Sequence, residues 1–235
     1  AKKSLQSEKR RNLMVVIAVA LASCLICFSI VMALSTRQIE KNHVEDTYEA
    51  VYTRITEEDV STLKGLDDFS RVGEYYMLAV EPAKQGYNAS YIYCDEETMY
   101  IARDQMKLLE GRLPQKEDEV AVSRYFLSNY GADAGIGEKV MLNSESFHGE
   151  YTVTGILEGY KEKEVNGSSI LLSKEALKGW SGYDPADYRA YVHFKNEQQM
   201  DETELTARSR EIAKEYQLEM PIMNLSYMKF YKQPV

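Results

Sequence analysis

Cysteine is scarce: there are three in 235 residues, of which Cys24 and Cys27 share one uncharged apolar run and only Cys94 belongs to the remainder. A lone cysteine forms no intramolecular disulfide, so whatever folds outside that run does so without a covalent staple. Cys24 and Cys27 stand three apart with no histidine or carboxylate beside them, which fits small packing residues and not a metal or redox pair. Histidine is equally rare. His43, His148 and His193 fall at no ligand spacing, and each reads as a structural or solvated residue. The chain also lacks a phosphate loop, a Gly-x-Ser-x-Gly elbow, a His-Glu-x-x-His pair and a paired-cysteine cluster. Three glycines in 131–137 are followed by Glu138-Lys139-Val140, a strand signal, so they form a turn and not a phosphate cradle. The acidic runs at 95–97 and 117–119 lack the alternating spacing of a calcium loop. No catalytic residue, cofactor or metal site is expected.

Basic charge is short as well. The net charge is −9, yet five basic residues (Lys2, Lys3, Lys9, Arg10, Arg11) and a single acid, Glu8, sit in the first 12 positions. The rest carries 23 basic and 36 acidic residues, or −13. Such a surface repels phosphate backbones and excludes nucleic acid as a partner.

What the sequence does have is one long apolar run, Leu13 to Leu34, without a charge. As a helix it reaches about 33 Å, the thickness of a hydrocarbon core, so membrane lipid is a partner. The run is too long for a secretory signal, and Ala33-Leu34-Ser35 is a poor cleavage site. The basic cluster before it places the N-terminus in the cytoplasm and the bulk of the chain on the far side of the membrane.

The expected organisation is a cytoplasmic basic segment at 1–12, a transmembrane helix at 13–34, a helical stalk at 35–55 and an extracytoplasmic domain at 56–235. The stalk rests on Val44, Tyr48, Val51, Tyr52 and Ile55, which fall on one helical face. A first residue that is not Met, and a last residue, Val235, that closes no element, read as the cut ends of a longer chain whose next membrane helix lies beyond.

Within the domain, Thr56 caps a short helix over 57–64 that stops at Gly65. Strands are predicted at 72–80 and 87–93, paired as a hairpin across the turn at 81–86. The stretch 95–110 reads as mixed or helical. Further strands are predicted at 119–122, 139–142, 151–157, 169–172 and 190–194. Short helices follow at 125–130, ending near Gly131, and from Ser173 after the Asn166-Gly167 turn. A charged helix spans 201–217 and buries Leu205, Ile212 and Tyr216. Strands interleaved with short helices, without regular long crossovers, make an α+β domain.

Four segments carry a resemblance: Leu109-Glu110-Gly111-Arg112-Leu113-Pro114, Glu119-Val120-Ala121-Val122-Ser123, Gly137-Glu138-Lys139-Val140 and Tyr151-Thr152-Val153-Thr154-Gly155-Ile156. In this order, downstream of a membrane helix with a basic start, the chain resembles the MacB/FtsX-type ABC-transporter permeases over residues 1 to about 175. The resemblance marks Gly111, Arg112, Pro114, Glu119, Val120, Gly137, Val153 and Gly155 as structural motif positions. It implies a permease subunit that works with a cytoplasmic ABC ATPase and with a second permease copy or homologous half. It further implies that ATP-driven motion is carried to the outer domain, for export or extraction of a peptide, antibiotic or lipid-linked substrate. The alternative is a sensory extracytoplasmic domain of a receptor or kinase, which would show one further span followed by a signalling helix. A membrane-anchored hydrolase would need a catalytic set that the sequence does not offer.

Overall fold

A run that is apolar on every side has no face to bury against a small domain, and in the computed structural model it forms α1 (Lys2–Val44), a single helix of 43 residues. The structure describes residues 2–44, 46–82, 87–103, 105–130, 134–159 and 167–229. The chain divides into two compact units, 1–43 and 44–235. In the first, Arg11–Ile39 is long and apolar enough to cross a membrane, with a mean hydropathy of 2.9 and no buried residue.

The second unit starts earlier than expected, and the stalk expected at 35–55 is corrected. The helix stops at Val44, Asp46 adopts a positive φ of 51°, and Ala50–Ile55 is strand β1. The apolar spacing of Val44, Tyr48, Val51, Tyr52 and Ile55 fits a helix. However, Val51-Tyr52-Thr53 is also β-branched and aromatic, and pairing on both sides of β1 decides the outcome. In a strand, Ala50 and Tyr52 point to one face and Val51 to the other, and all three are buried.

After β1 come α2 (Glu57–Lys64), β2 (Phe69–Pro82), β3 (Asn88–Cys94), α3 (Glu96–Ile101), β4 (Met106–Gly111), β5 (Glu119–Ser123) and α4 (Arg124–Tyr130). Then follow β6 (Lys139–Asn143), β7 (His148–Gly159), β8 (Gly167–Leu172), α5 (Lys174–Gly179), β9 (Tyr188–Phe194), α6 (Glu202–Glu215) and β10 (Ile222–Met223). The helix starts are chemically marked. Thr56 and Asp59 form a reciprocal capping box, as do Asp201 and Glu204, and Asp95 and Ser173 cap α3 and α5. Each such cap stabilises its helix by about 1 kcal/mol.

The ten strands form one mixed sheet in the order β10-β1-β9-β2-β3-β8-β5-β7-β4, with β6 also on β7. The β3–β8 and β5–β7 pairs are parallel and the others antiparallel. This is the α+β class. The expected 72–80 and 87–93 hairpin is the antiparallel β2–β3 pair, while part of its turn, like Gly131 and Asn166, lies outside the described residues. The 95–110 stretch splits into α3 and β4, and β10 is an element the sequence reading did not contain. In α6 the buried residues are Leu205, Ser209, Ile212 and Ala213, whereas Tyr216 follows the helix and is only half-buried.

Alternation along the strands separates two faces. One packs Tyr52, Tyr76, Tyr91, Val122, Ile170 and Val192 against α2, α4, α5 and α6 in the main core. The other carries two smaller clusters, one around Tyr48, Val51, Ile101 and Tyr191 and one around Ile92, Cys94, Leu157 and Leu171. Among the described helices, α3 supplies the buried residues of that second face.

Candidate functional site: motif cluster and chain junction

The eight motif positions, which span 45 residues of sequence, meet around β7. Gly111 ends β4 with φ +81°, and a Cβ there would lie 2.1 Å from the Thr154 carbonyl oxygen, so the backbone approach admits glycine alone. Its partner across the β4–β7 pair is Gly155, where a Cβ would lie 2.6 Å from the Arg112 carbonyl oxygen. The chain then delivers Arg112, whose N–H donates to Thr154 O at 2.9 Å. The guanidinium donates to both carboxylate oxygens of Glu119, at 2.8 and 2.7 Å, a bidentate pair. Glu119 also accepts the backbone N–H groups of Gln115 (2.9 Å) and Lys116 (3.2 Å). One buried carboxylate thus folds the 112–118 loop, and Pro114 sits in it with no N–H to satisfy. The Arg112 hydrogen bonds hold the Glu119 carboxyl well down, at about 2, against the upward push of burial.

Val120 is fully buried and faces Val153 across the parallel β5–β7 pair. Gly137, at φ +86°, donates to Val153 O at 2.8 Å. This cluster is a lock on backbone geometry. Its charged groups are occupied with each other, and it holds no nucleophile beside a base.

A second site lies at the start of the second unit, around Thr47–Val51, and it includes residues the sequence reading missed. Tyr48 N–H donates to Ile101 O at 3.1 Å and Glu49 N–H to Val192 O at 3.0 Å. Asn224, just after β10, returns to the same place: its N–H donates to Glu49 O (2.8 Å) and its Nδ2 to Tyr48 O (2.9 Å). Ala50 and Val51 pair with Met223 and Ile222. The incoming and outgoing ends of the domain are therefore tied side by side at one edge of the sheet.

Glu49 is fully buried. One of its oxygens accepts Phe194 N–H at 2.8 Å, and the other lies 2.7 Å from His193 Nδ1. Thr47 O is 3.0 Å from the same nitrogen. Two acceptors facing one nitrogen place a proton on Nδ1. Burial pushes the Glu49 carboxyl up, and its bond to His193 offsets only part of that. Burial works against the His193 imidazolium, but the Glu49 hydrogen bond and charge outweigh it and raise the pKa. His193 looked isolated because its partner is 144 positions away. Among the described residues, no group of three or more His, Cys, Asp or Glu is placed to hold a metal ion. The described His148 is exposed, and the side chain of His43 lies outside the described residues.

The family model of the MacB-like periplasmic core domain matches residues 13–210. The chain belongs to that family. The MacB-like fold is also seen in solved structures of low sequence identity. The extracellular domain of the noncanonic ABC-type transporter YknZ from Gram-positive bacteria is 15% identical, with a TM-score of 0.52 over 76% of this chain and 100% of that one. A domain of a putative permease protein from Porphyromonas gingivalis is 15% identical, with a TM-score of 0.50 over 80% and 98%. The periplasmic region of MacB from Actinobacillus actinomycetemcomitans is 11% identical, with a TM-score of 0.51 over 79% and 91%. No curated protein matches the sequence. The family is that of the MacB-like domains of ABC-type transporter permeases, and in this chain the domain follows a helix long and apolar enough to cross a membrane.

Proposed function

We propose that this MacB-like chain is the permease subunit of an ABC transporter in which a cytoplasmic ATPase drives movement of the extracytoplasmic domain. Work done below the membrane travels along α1 and reaches the sheet through Thr47–Ile55. The product of that motion is the export or extraction of a peptide, an antibiotic or a lipid-linked molecule, and the chain itself catalyses no reaction. Lys2, Lys3, Lys9, Arg10 and Arg11 keep the N-terminus in the cytoplasm of a bacterial plasma membrane, residues 13–34 span it, and a second permease copy or homologous half completes the pathway.

The observation that carries this reading is the tie between the two ends of the domain. Three residues after the 43-residue helix ends at Val44 the chain is buried, and by Glu49 it is hydrogen-bonded to both β9 and the outgoing Asn224. The segment that enters the sheet is thus held on two sides, which supports a mechanical role for it. Co-purification of the full-length permease with its cytoplasmic ABC ATPase, and ATP hydrolysis by the reconstituted pair, test the reading. A chain that instead purifies with a cytoplasmic kinase or signalling domain would overturn it.

A further inference from the structure

On the sheet face opposite the main core, a cavity of about 90 Å³ opens between α3 and the strands beneath it. The strands contribute Ile92, Cys94, Met106 and Ser169, α3 contributes Thr98 and Met99, and Tyr75 and Tyr191 also line it. In a domain as acidic as this one, none of the described residues lining the cavity carries a charge. Close-packed interiors leave few voids larger than a water molecule. This one has room for about three waters at about 30 Å³ each, and its lining, though it includes hydroxyl and amide groups, is more apolar than polar. Exchanging such water for an apolar group is favourable. The unbranched, polarisable methionine side chains adjust to the shape of what enters.

Size narrows the class. An apolar cavity of about 150 Å³ accepts benzene, so 90 Å³ is tight for a ring and suits a branched group of about four carbons. The cavity is also linked to the chain junction. Gln105, on its rim, donates from Nε2 to Tyr48 Oη at 2.6 Å. The Tyr191 ring packs edge-on against Tyr48 with centroids 4.7 Å apart. We propose that this cavity binds one uncharged branched aliphatic group, of leucine or isoleucine side-chain size, and that Gln105 and Tyr191 transmit its occupancy to Tyr48. The transmission rests on the permease reading, but the binding does not.

The test uses the full chain in lipid nanodiscs with 13C-methyl methionine, titrated with N-acetyl-leucinamide, isopentyl alcohol and N-acetyl-lysinamide. Saturable shifts of the Met99 and Met106 methyl signals with either of the first two are expected, and which of them binds tighter tells a peptide side chain from a hydrocarbon tail. Filling the cavity with Ser169→Ile should weaken binding about tenfold or more, while the volume-conserving Met106→Leu should retain it. An equal response to N-acetyl-lysinamide, or no saturable shift from the first two, overturns the proposal whether or not Ser169→Ile folds. Absent binding in a permease that still couples to its ATPase sinks the cavity and spares the permease reading; binding without ATPase association does the reverse.

Discussion

Glu49 and His193 meet 2.7 Å apart, one from just before β1 and the other from β9, one residue before it ends. His193 has a raised pKa, so the stability it contributes is complete below about 6.5 and is lost as pH rises through the folded value. Glu49 is raised as well, so its protonation preference also favours the fold at the acidic side. Glu197 faces the pair and pushes both values the same way. The His193 ring should titrate above 6.5 by NMR, and the denaturation midpoint should fall as pH is raised past that value. His193→Gln should remove the histidine's share of this slope. Its cost at neutral pH should be about 1–3 kcal/mol, because the buried Glu49 can take up a proton once its partner is gone.

Glu119 behaves in the opposite sense. Its carboxyl is depressed to about 2, so its contribution is present above the ordinary 4.5 and disappears as pH falls through about 2. Glu119→Gln should lose about 1–3 kcal/mol in urea denaturation at pH 7. The difference from the parent chain should shrink steadily below pH 4.5.

Three motif glycines should differ in cost. Gly111→Ala meets both a positive φ and a carbonyl oxygen at 2.1 Å, and Gly155→Ala meets the Arg112 carbonyl at 2.6 Å. Gly137→Ala keeps only the φ strain, with nothing within 4 Å of the new methyl. Thermal unfolding should place Gly137→Ala at about 1–2 kcal/mol and Gly111→Ala clearly above it, since overpacking adds about 1–3 kcal/mol to the strain.

Local signals made much of this fold readable. Thr56 and Ser173 announce their helices through side chains that act within three residues, and the β-branched and aromatic residues of β5 and β7 mark strands regardless of partners. The stretch 50–55 was misread because its apolar spacing satisfies a helix as well as a strand. Its neighbours β9 and β10 lie more than a hundred residues downstream, where no periodicity can reveal them. Distance also hid the Glu49–His193 pair and the role of Asn224. The pairing of Arg112 with Glu119 was within reach of sequence, seven positions apart, but only the turn at Gly111 brings them face to face.

Asn224 ties the outgoing end to Tyr48 and also accepts Tyr227 N–H at 3.2 Å. Asn224→Ala should cost about 1–3 kcal/mol by leaving buried groups unpaired. Amide exchange should rise first at 47–51 and 222–229, while β5 and β8 in the sheet interior keep their protection.

Amide hydrogen exchange on the full-length permease, reconstituted with its cytoplasmic ATPase and compared without nucleotide and after vanadate trapping, tests the central claim most directly. Coupling through the junction predicts that protection at Thr47–Ile55 and at 222–229 changes with the nucleotide state, and that Asn224→Ala reduces the change. Identical exchange at both segments in the two states, with the ATPase active, would contradict it.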